Sequence, residues 1–231
     1  MTAPTGLAAL AALTALCPPP ADVPPVPDWP GAEGVLGMRL PGDYKELVAA
    51  YGPGEFNGFL TLYQPGALNE WVDLTGPVPA RLRAQLDAHH RGALPCATED
   101  LLAMGVTGNG HYLFWDTRLR DAPDRWTVVV SERLSAPWFT YRGPVTAFLA
   151  DVLGGTLRVP LFPRDLLLGD GPAFAPSRLR GRVRVTALDT RPPVSTSTIR
   201  AWARAQGFDV PDRGRVPFAV FEAWEAATRS D

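Results

Sequence analysis

The sequence predicts an α+β fold: a mostly antiparallel sheet flanked by helices, followed by a small two-helix module. Three observations predict it. Arg125–Ser131 (RWTVVVS) strings together the β-branched and aromatic residues that suit a pleated, half-buried surface. Helical segments precede and follow a group of short strand-like runs, without the regular alternation that a parallel sheet needs. Past Arg191 the pattern changes to two short amphipathic segments around one loop.

Composition supports a packed protein. The 231 residues are 46% hydrophobic and include seven Trp, enough to bury a core. Cys17 and Cys96 form neither a disulfide framework nor a metal-ligand spacing, and they read as small buried hydrophobes. Gly6–Cys17 (GLAALAALTALC) has the apolarity of a signal-peptide core, but no Lys or Arg precedes it. Leu16 also stands where a small residue should precede a lipobox-like cysteine. The run is far short of the ~20 apolar residues that span a bilayer. Leu7, Leu10, Leu13 and Leu16 are expected along one side of a core-covering helix, in a cytoplasmic protein without a membrane partner.

Pro18–Pro30 (PPPADVPPVPDWP) is expected to run extended. Pro41-Gly42-Asp43 opens a helix through Tyr44, Leu47, Val48 and Tyr51, which Gly52-Pro53-Gly54 stops. Phe59–Tyr63 reads as a strand. Pro79–His90 reads as a helix with Leu82 and Leu86 on its buried side. Gly108-Asn109-Gly110 turns into a strand at His111–Trp115, and Arg125–Ser131 and Trp138–Tyr141 are the next two strands. Pro144–Leu153 is a helix begun by proline and ended by Gly154-Gly155.

From Leu161 to Arg191 periodicity is lost. Prolines 163, 172 and 176, with Gly169 and Gly171, mark a linker. Arg178, Arg180, Arg182 and Arg184 alternate with Leu, Gly and Val, a pattern that fits either an edge strand with one basic side or a basic arm. The expected organisation is a domain at 1–165, a linker at 166–190 and a module at 191–231. Charge follows this division: residues 1–177 hold 12 basic and 18 acidic side chains, a net of −6, whereas residues 178–231 hold 10 and 6, a net of +4. A basic tail on an acidic body suggests a polyanionic partner for the tail.

In that tail Ser195–Ser197 offers N-caps, Ile199, Trp202 and Ala203 recur at helical spacing, and Gly207 supplies a stop. Val216-Pro217 begins a second helix carrying Val220, Phe221 and Trp224. Between the helices stands Arg213-Gly214-Arg215. The minor groove of A·T-rich DNA is narrow and its negative potential attracts inserted guanidinium groups. A glycine between two arginines lets the backbone approach the groove floor, where the guanine amino group of a G·C pair would obstruct it.

Ile199–Ala227 (IRAWARAQGFDVPDRGRVPFAVFEAWEAA) closely resembles the DNA-binding domain of the Lsr-type nucleoid silencers of actinobacteria. The likeness covers the Ile-Arg-x-Trp-Ala first helix, the RGR followed by Val-Pro, and the second helix. It implies AT-rich double-stranded DNA as partner, minor-groove insertion by Arg213 and Arg215 around Gly214, and further contacts from Arg200 and Arg204. Gln206 and Trp224 stand where that pattern usually has Asn and Tyr, and Asp212 sets a negative charge beside the arginines.

The preceding part resembles a different family. LPGDYKELVAAYGPGEFNGFLTLYQPG (Leu40–Gly66), GNGHYLFW (Gly108–Trp115), DRWTVVV (Asp124–Val130) and TAFLADVL (Thr146–Leu153) are similar to the SUKH superfamily, which includes Smi/Knr-like proteins and immunity proteins of polymorphic toxin systems. This resemblance implies a protein-binding fold without a catalytic site or cofactor, whose partner is unidentified and includes toxins among the possibilities.

The residues themselves point the same way. His89 and His90 are adjacent on a helix, about 100° apart around its axis, which suits no shared metal. His111 has no Cys or His at ligand spacing. Asp116, Asp121 and Asp124 read as solvated turn residues. No phosphate-binding glycine loop or nucleophile elbow is present. Trp115, Trp126 and Trp138 read as core. The expectation is a non-enzymatic, nucleoid-associated or regulatory DNA-binding protein. The alternative is an immunity protein that neutralises a toxin through its SUKH-like domain.

Overall fold

The computed structural model describes residues 6–22, 25–67, 69–89, 93–132, 134–164, 166–167, 171–177, 196–207 and 227. The chain divides into two compact units, Met1–Arg178 and Leu179–Asp231. In the first unit the strands are β1 (Gly54–Phe56), β2 (Leu60–Leu62), β3 (Leu101–Thr107), β4 (Tyr112–Asp116), β5 (Thr127–Glu132), β6 (Ser135–Tyr141) and β7 (Phe174–Pro176). Its helices are α1 (Gly6–Leu16), α2 (Trp29–Leu36), α3 (Gly42–Tyr51), α4 (Pro77–His89) and α5 (Val145–Leu153). The second unit contains α6 (Thr196–Ala205).

The strands form one antiparallel sheet in the order β6-β5-β4-β3-β2-β1-β7, giving the expected α+β class. Consecutive strands are neighbours from β1 to β6, so short turns suffice to join most of them. One face carries Leu113 and Trp115, Val128 and Val130, and Phe139 and Tyr141 in register across β4, β5 and β6. The helices α1, α3 and α5 pack together, and rings tie the group to this face: Tyr44 of α3 meets Trp115 edge-on at 4.9 Å, and Tyr141 meets Phe148 of α5 at 5.6 Å. The opposite face buries Phe114, Val129 and Ser131 and leaves Val106, Tyr112 and Trp138 half-buried.

At the β3 bulge between Ala103 and Gly105, a Cβ on Gly105 would stand 2.8 Å from the Thr61 carbonyl oxygen. Only glycine lets β2 approach that closely.

Three strands, β1, β3 and β7, are additions to the sequence reading. The last lies inside the Pro/Gly-rich stretch that reads as linker. It pairs Phe174 with Phe56 and Pro176 with Gly54 along the β1 edge. An open edge accepts backbone hydrogen bonds from any extended segment, whatever its side-chain periodicity.

The buried side of α1 also differs from the expected leucine stripe. Ala9, Leu13 and Cys17 are buried, while Leu16 is 40% exposed. Steps of three residues rotate by about −60° each, so Leu7 to Leu16 sweeps half the helix circumference. Steps of four drift by only about 40°, and they keep one face inward. α2 replaces the end of the expected extended proline run. Asp28 caps it by accepting from the Gly31 amide at 3.1 Å, and Pro30 sits in the first turn, where it removes no helical hydrogen bond.

Asp43 ties three helices together. Its Oδ2 accepts from the Thr146 amide at 3.0 Å and from the Thr146 hydroxyl at 3.1 Å, satisfying the start of α5 from the start of α3. The Thr146 hydroxyl also lies 3.3 Å from the Gly6 carbonyl of α1. Burial raises the Asp43 pKa, and the bonds from Thr146 only partly offset it. A raised carboxyl pKa means the folded state holds its proton more tightly than the unfolded chain, so this contribution falls as pH rises above the ordinary carboxylate value. At neutral pH the acceptor matters and the charge is a burden. Asp43→Ala is therefore expected to destabilise by about 1–3 kcal/mol, and Asp43→Asn by clearly less, in urea denaturation at pH 7. Equal losses from both would mean that the charge, not the acceptor, holds α5.

Candidate nucleic-acid interface

Apart from Ala227, the described part of the second unit is one helix and the turn that follows it. α6 (TSTIRAWARA) contains two arginines and no acidic residue. Arg200 and Arg204 are four residues apart, which places them on the same side one turn apart. Arg204 is exposed and Arg200 is half-buried, whereas Ala203 is buried and Trp202 half-buried. Arg204 lies in the last turn, where the carbonyl end of the helix favours a cation.

The helix ends as its sequence requires. The Gln206 amide donates to the Trp202 and Ala203 carbonyls at 3.0 and 3.1 Å, and the Gly207 amide donates to Arg204 at 3.0 Å. Gly207 adopts a φ of +82°, the left-handed region that glycine enters without a Cβ clash. Its turn ends α6 and leads the chain toward the arginine triplet. Arg213, Gly214 and Arg215 lie outside the described residues, as does the expected helix from Val216, of which Ala227 alone is described as helical.

In the first unit several charged side chains are engaged structurally. The Arg118 guanidinium grips Asp116 with bonds of 2.6–3.1 Å, and Arg120 reaches Asp100 at 3.3 Å. The Asp124 carboxylate accepts from the Gly42 amide at 2.6 Å, and Arg39 donates to the Asp121 carbonyl at 3.1 Å. These bonds fix the connection between β4 and β5 against the α3 start. Burial, with a smaller contribution from Asp116, pushes the Cys96 thiol up to about 11, so it stays a protonated thiol at neutral pH. The Tyr44 hydroxyl is buried and donates to the Tyr63 carbonyl. The His111 amide donates to the Thr107 hydroxyl at 3.0 Å at the start of β4. Among the described residues no group of three or more His, Cys, Asp or Glu is placed to hold a metal ion, and no helix is long and apolar enough to cross a membrane.

No solved structure matches the chain. Two family matches cover separate segments. Residues 28–140 match a SUKH family described as SMI1-KNR4 cell-wall, a span from the cap of α2 into β6. Residues 192–227 match the Lsr2 DNA-binding domain, a span that includes α6 and the arginine triplet. The chain thus joins an N-terminal SUKH domain to a C-terminal Lsr2-type DNA-binding domain.

Proposed function

We propose that the chain binds AT-rich duplex DNA by inserting Arg213-Gly214-Arg215 into the minor groove, and that its SUKH domain brings a protein partner to that DNA. The carrying observation is the position of the triplet within the segment matching the Lsr2 DNA-binding domain, eight residues beyond the end of α6. Arg200 and Arg204 supply positive charge toward phosphates, which positions the module without reading sequence. On this reading the protein works at the nucleoid and performs no catalytic step.

The test is fluorescence-anisotropy titration of the full chain with matched AT-rich and GC-rich duplexes at two salt concentrations. Arg213→Ala or Arg215→Ala is expected to abolish the AT preference, each at a cost of about 1–3 kcal/mol. Arg200→Ala with Arg204→Ala is expected to weaken both duplexes alike and flatten the salt dependence. An AT preference that survives loss of both Arg213 and Arg215 would overturn the groove-insertion reading.

The SUKH match and the acid surplus of residues 1–177 favour a second reading, an immunity protein whose first domain neutralises a basic toxin. Expression beside a toxin encoded by an adjacent gene separates the two. Protection of cells by the full chain carrying both Arg213→Ala and Arg215→Ala would favour immunity, and loss of protection would tie the function to DNA.

A further inference from the structure

Past the end of α5 the first unit carries a recess that neither matched segment includes. Its cavity measures about 160 Å³ and is lined by Val152 of α5 and by residues between Gly155 and Leu167. Val152, Val159 and Phe162 form a buried floor, and the exposed Arg158 and Arg164 stand on the rim. We propose that this recess docks an acidic segment of a partner protein, which seats one large apolar side chain on the floor and sets carboxylates against Arg158 and Arg164. This rests on the reading that the first domain binds a protein, and it gives that partner a chemistry.

Contacts from distant parts of the chain build the recess. The Phe162 ring meets Phe59 edge-on at 5.3 Å and Phe148 of α5 at 6.3 Å. The Leu166 carbonyl accepts from Asn57 Nδ2 at 3.1 Å, which pins one wall to the turn between β1 and β2. The Leu157 amide donates to the Asp151 carbonyl at 2.9 Å and ties the other wall to α5. A partner therefore meets walls that are already ordered, which lowers the cost of docking. The surface around the mouth is apolar. Leu16 is 40% exposed and Leu167 39%. A Cβ on Gly154 would stand 3.2 Å from Leu16 Cδ1, and one on Gly155 would stand 3.3 Å from Leu167 Cδ1, so both leucines lie against one turn. Large apolar side chains exposed together mark an interaction surface, whereas the same side chains scattered singly do not.

Size and charge select the occupant. Small-molecule sites enclose about 300–1,000 Å³, roughly twice this volume or more. A cavity of about 150 Å³ holds a single ring, which is the scale of the anchor side chain that a protein partner inserts into a pocket. Among the described residues neither the Arg158 nor the Arg164 guanidinium has an ion pair or hydrogen bond. The Asp151 carboxylate of α5 is already engaged by the Tyr141 hydroxyl at 2.6 Å and the Thr156 hydroxyl at 3.1 Å. No Asp or Glu among the described residues lines the recess. Residues 1–177 carry a net charge of −6, so an acidic segment is repelled by the body at large and finds two unneutralised cations at this rim. A duplex would bring the anions but no side chain to fill the floor.

The experiment is an anisotropy titration of a labelled peptide, one phenylalanine among glutamates, with the full chain. Excess unlabelled AT-rich duplex is present throughout to occupy the basic tail. The parent is expected to bind the peptide, less tightly as salt rises. The double variant Arg158→Gln/Arg164→Gln changes only exposed side chains and is expected to bind about ten-fold more weakly, the scale of two exposed ion pairs. A second peptide with serine in place of the phenylalanine leaves the floor empty and is expected to bind the parent at least about ten-fold more weakly. Three results overturn the docking site: no binding to the parent, equal binding by the parent and the double variant, or equal binding of the two peptides. Titration of the same chain with AT-rich and GC-rich duplexes reads the DNA proposal separately. A chain that binds the peptides as expected but shows no AT preference keeps the docking site and overturns groove insertion, and the reverse result overturns the docking site alone.

Discussion

Gly214→Val is expected to abolish the preference for AT-rich over GC-rich duplex although it removes no charge. The minor groove of B-DNA is about 6 Å wide, and A-tracts narrow it further. Arginines entering such a groove from a continuous backbone need that backbone close to the floor. A branched Cβ between them holds the main chain back and shortens the reach of both guanidinium groups at once. The loss of discrimination should match that of Arg213→Ala, about 1–3 kcal/mol, or about 5- to 150-fold in relative affinity. The salt dependence should change little, because phosphate neutralisation by the remaining basic residues persists. Anisotropy titration against both duplexes at two salt concentrations reads the two quantities separately. If Gly214→Val binds AT-rich DNA as the parent does, the arginines act as surface charge and no groove insertion occurs.

Trp115→Ala is expected to have the largest effect on stability. The indole is 1% exposed and lies between Tyr44 at 4.9 Å and Trp126 at 5.9 Å, joining the sheet to α3. Truncation removes the transfer free energy of a large ring and leaves a cavity that the packed sheet cannot close, at about 3–5 kcal/mol. That is a large part of the ~5–15 kcal/mol that stabilises an ordinary domain. Trp138, half-buried on the opposite face beside Phe114, should cost clearly less when truncated. Equilibrium urea unfolding of both variants compares the two sites. Similar losses would mean that both faces of the sheet are equally dependent on their aromatic residues.

Local pattern alone made several elements legible. The β-branched run at Arg125–Ser131 contains most of β5, and the Leu82/Leu86 spacing marks the buried side of α4. Gly52 and Gly154 mark the ends of α3 and α5. These features are local because strand-forming side chains, helical spacing and stop residues act within a few positions. The arginine triplet is read from its chemistry and its sequence neighbours alone, and it lies outside the described residues.

Tertiary structure alone decided the rest. β1 and β7 are three residues each, and they persist because they pair with each other although they are distant in sequence. The inward side of α1 was set by its packing on α3 and α5, which selected Ala9, Leu13 and Cys17 although leucines were available on other sides. The same holds for the tryptophans at 115 and 138, whose aromatic character is equal in the sequence and whose burial is not. Asp43 looked like an ordinary helix-start acid, yet its acceptor serves the first turn of α5, 103 residues away. Sequence determines which residues can pair, cap or pack. Which of them do so depends on chain segments brought together only by the fold, because burial and hydrogen-bond satisfaction are properties of the packed whole.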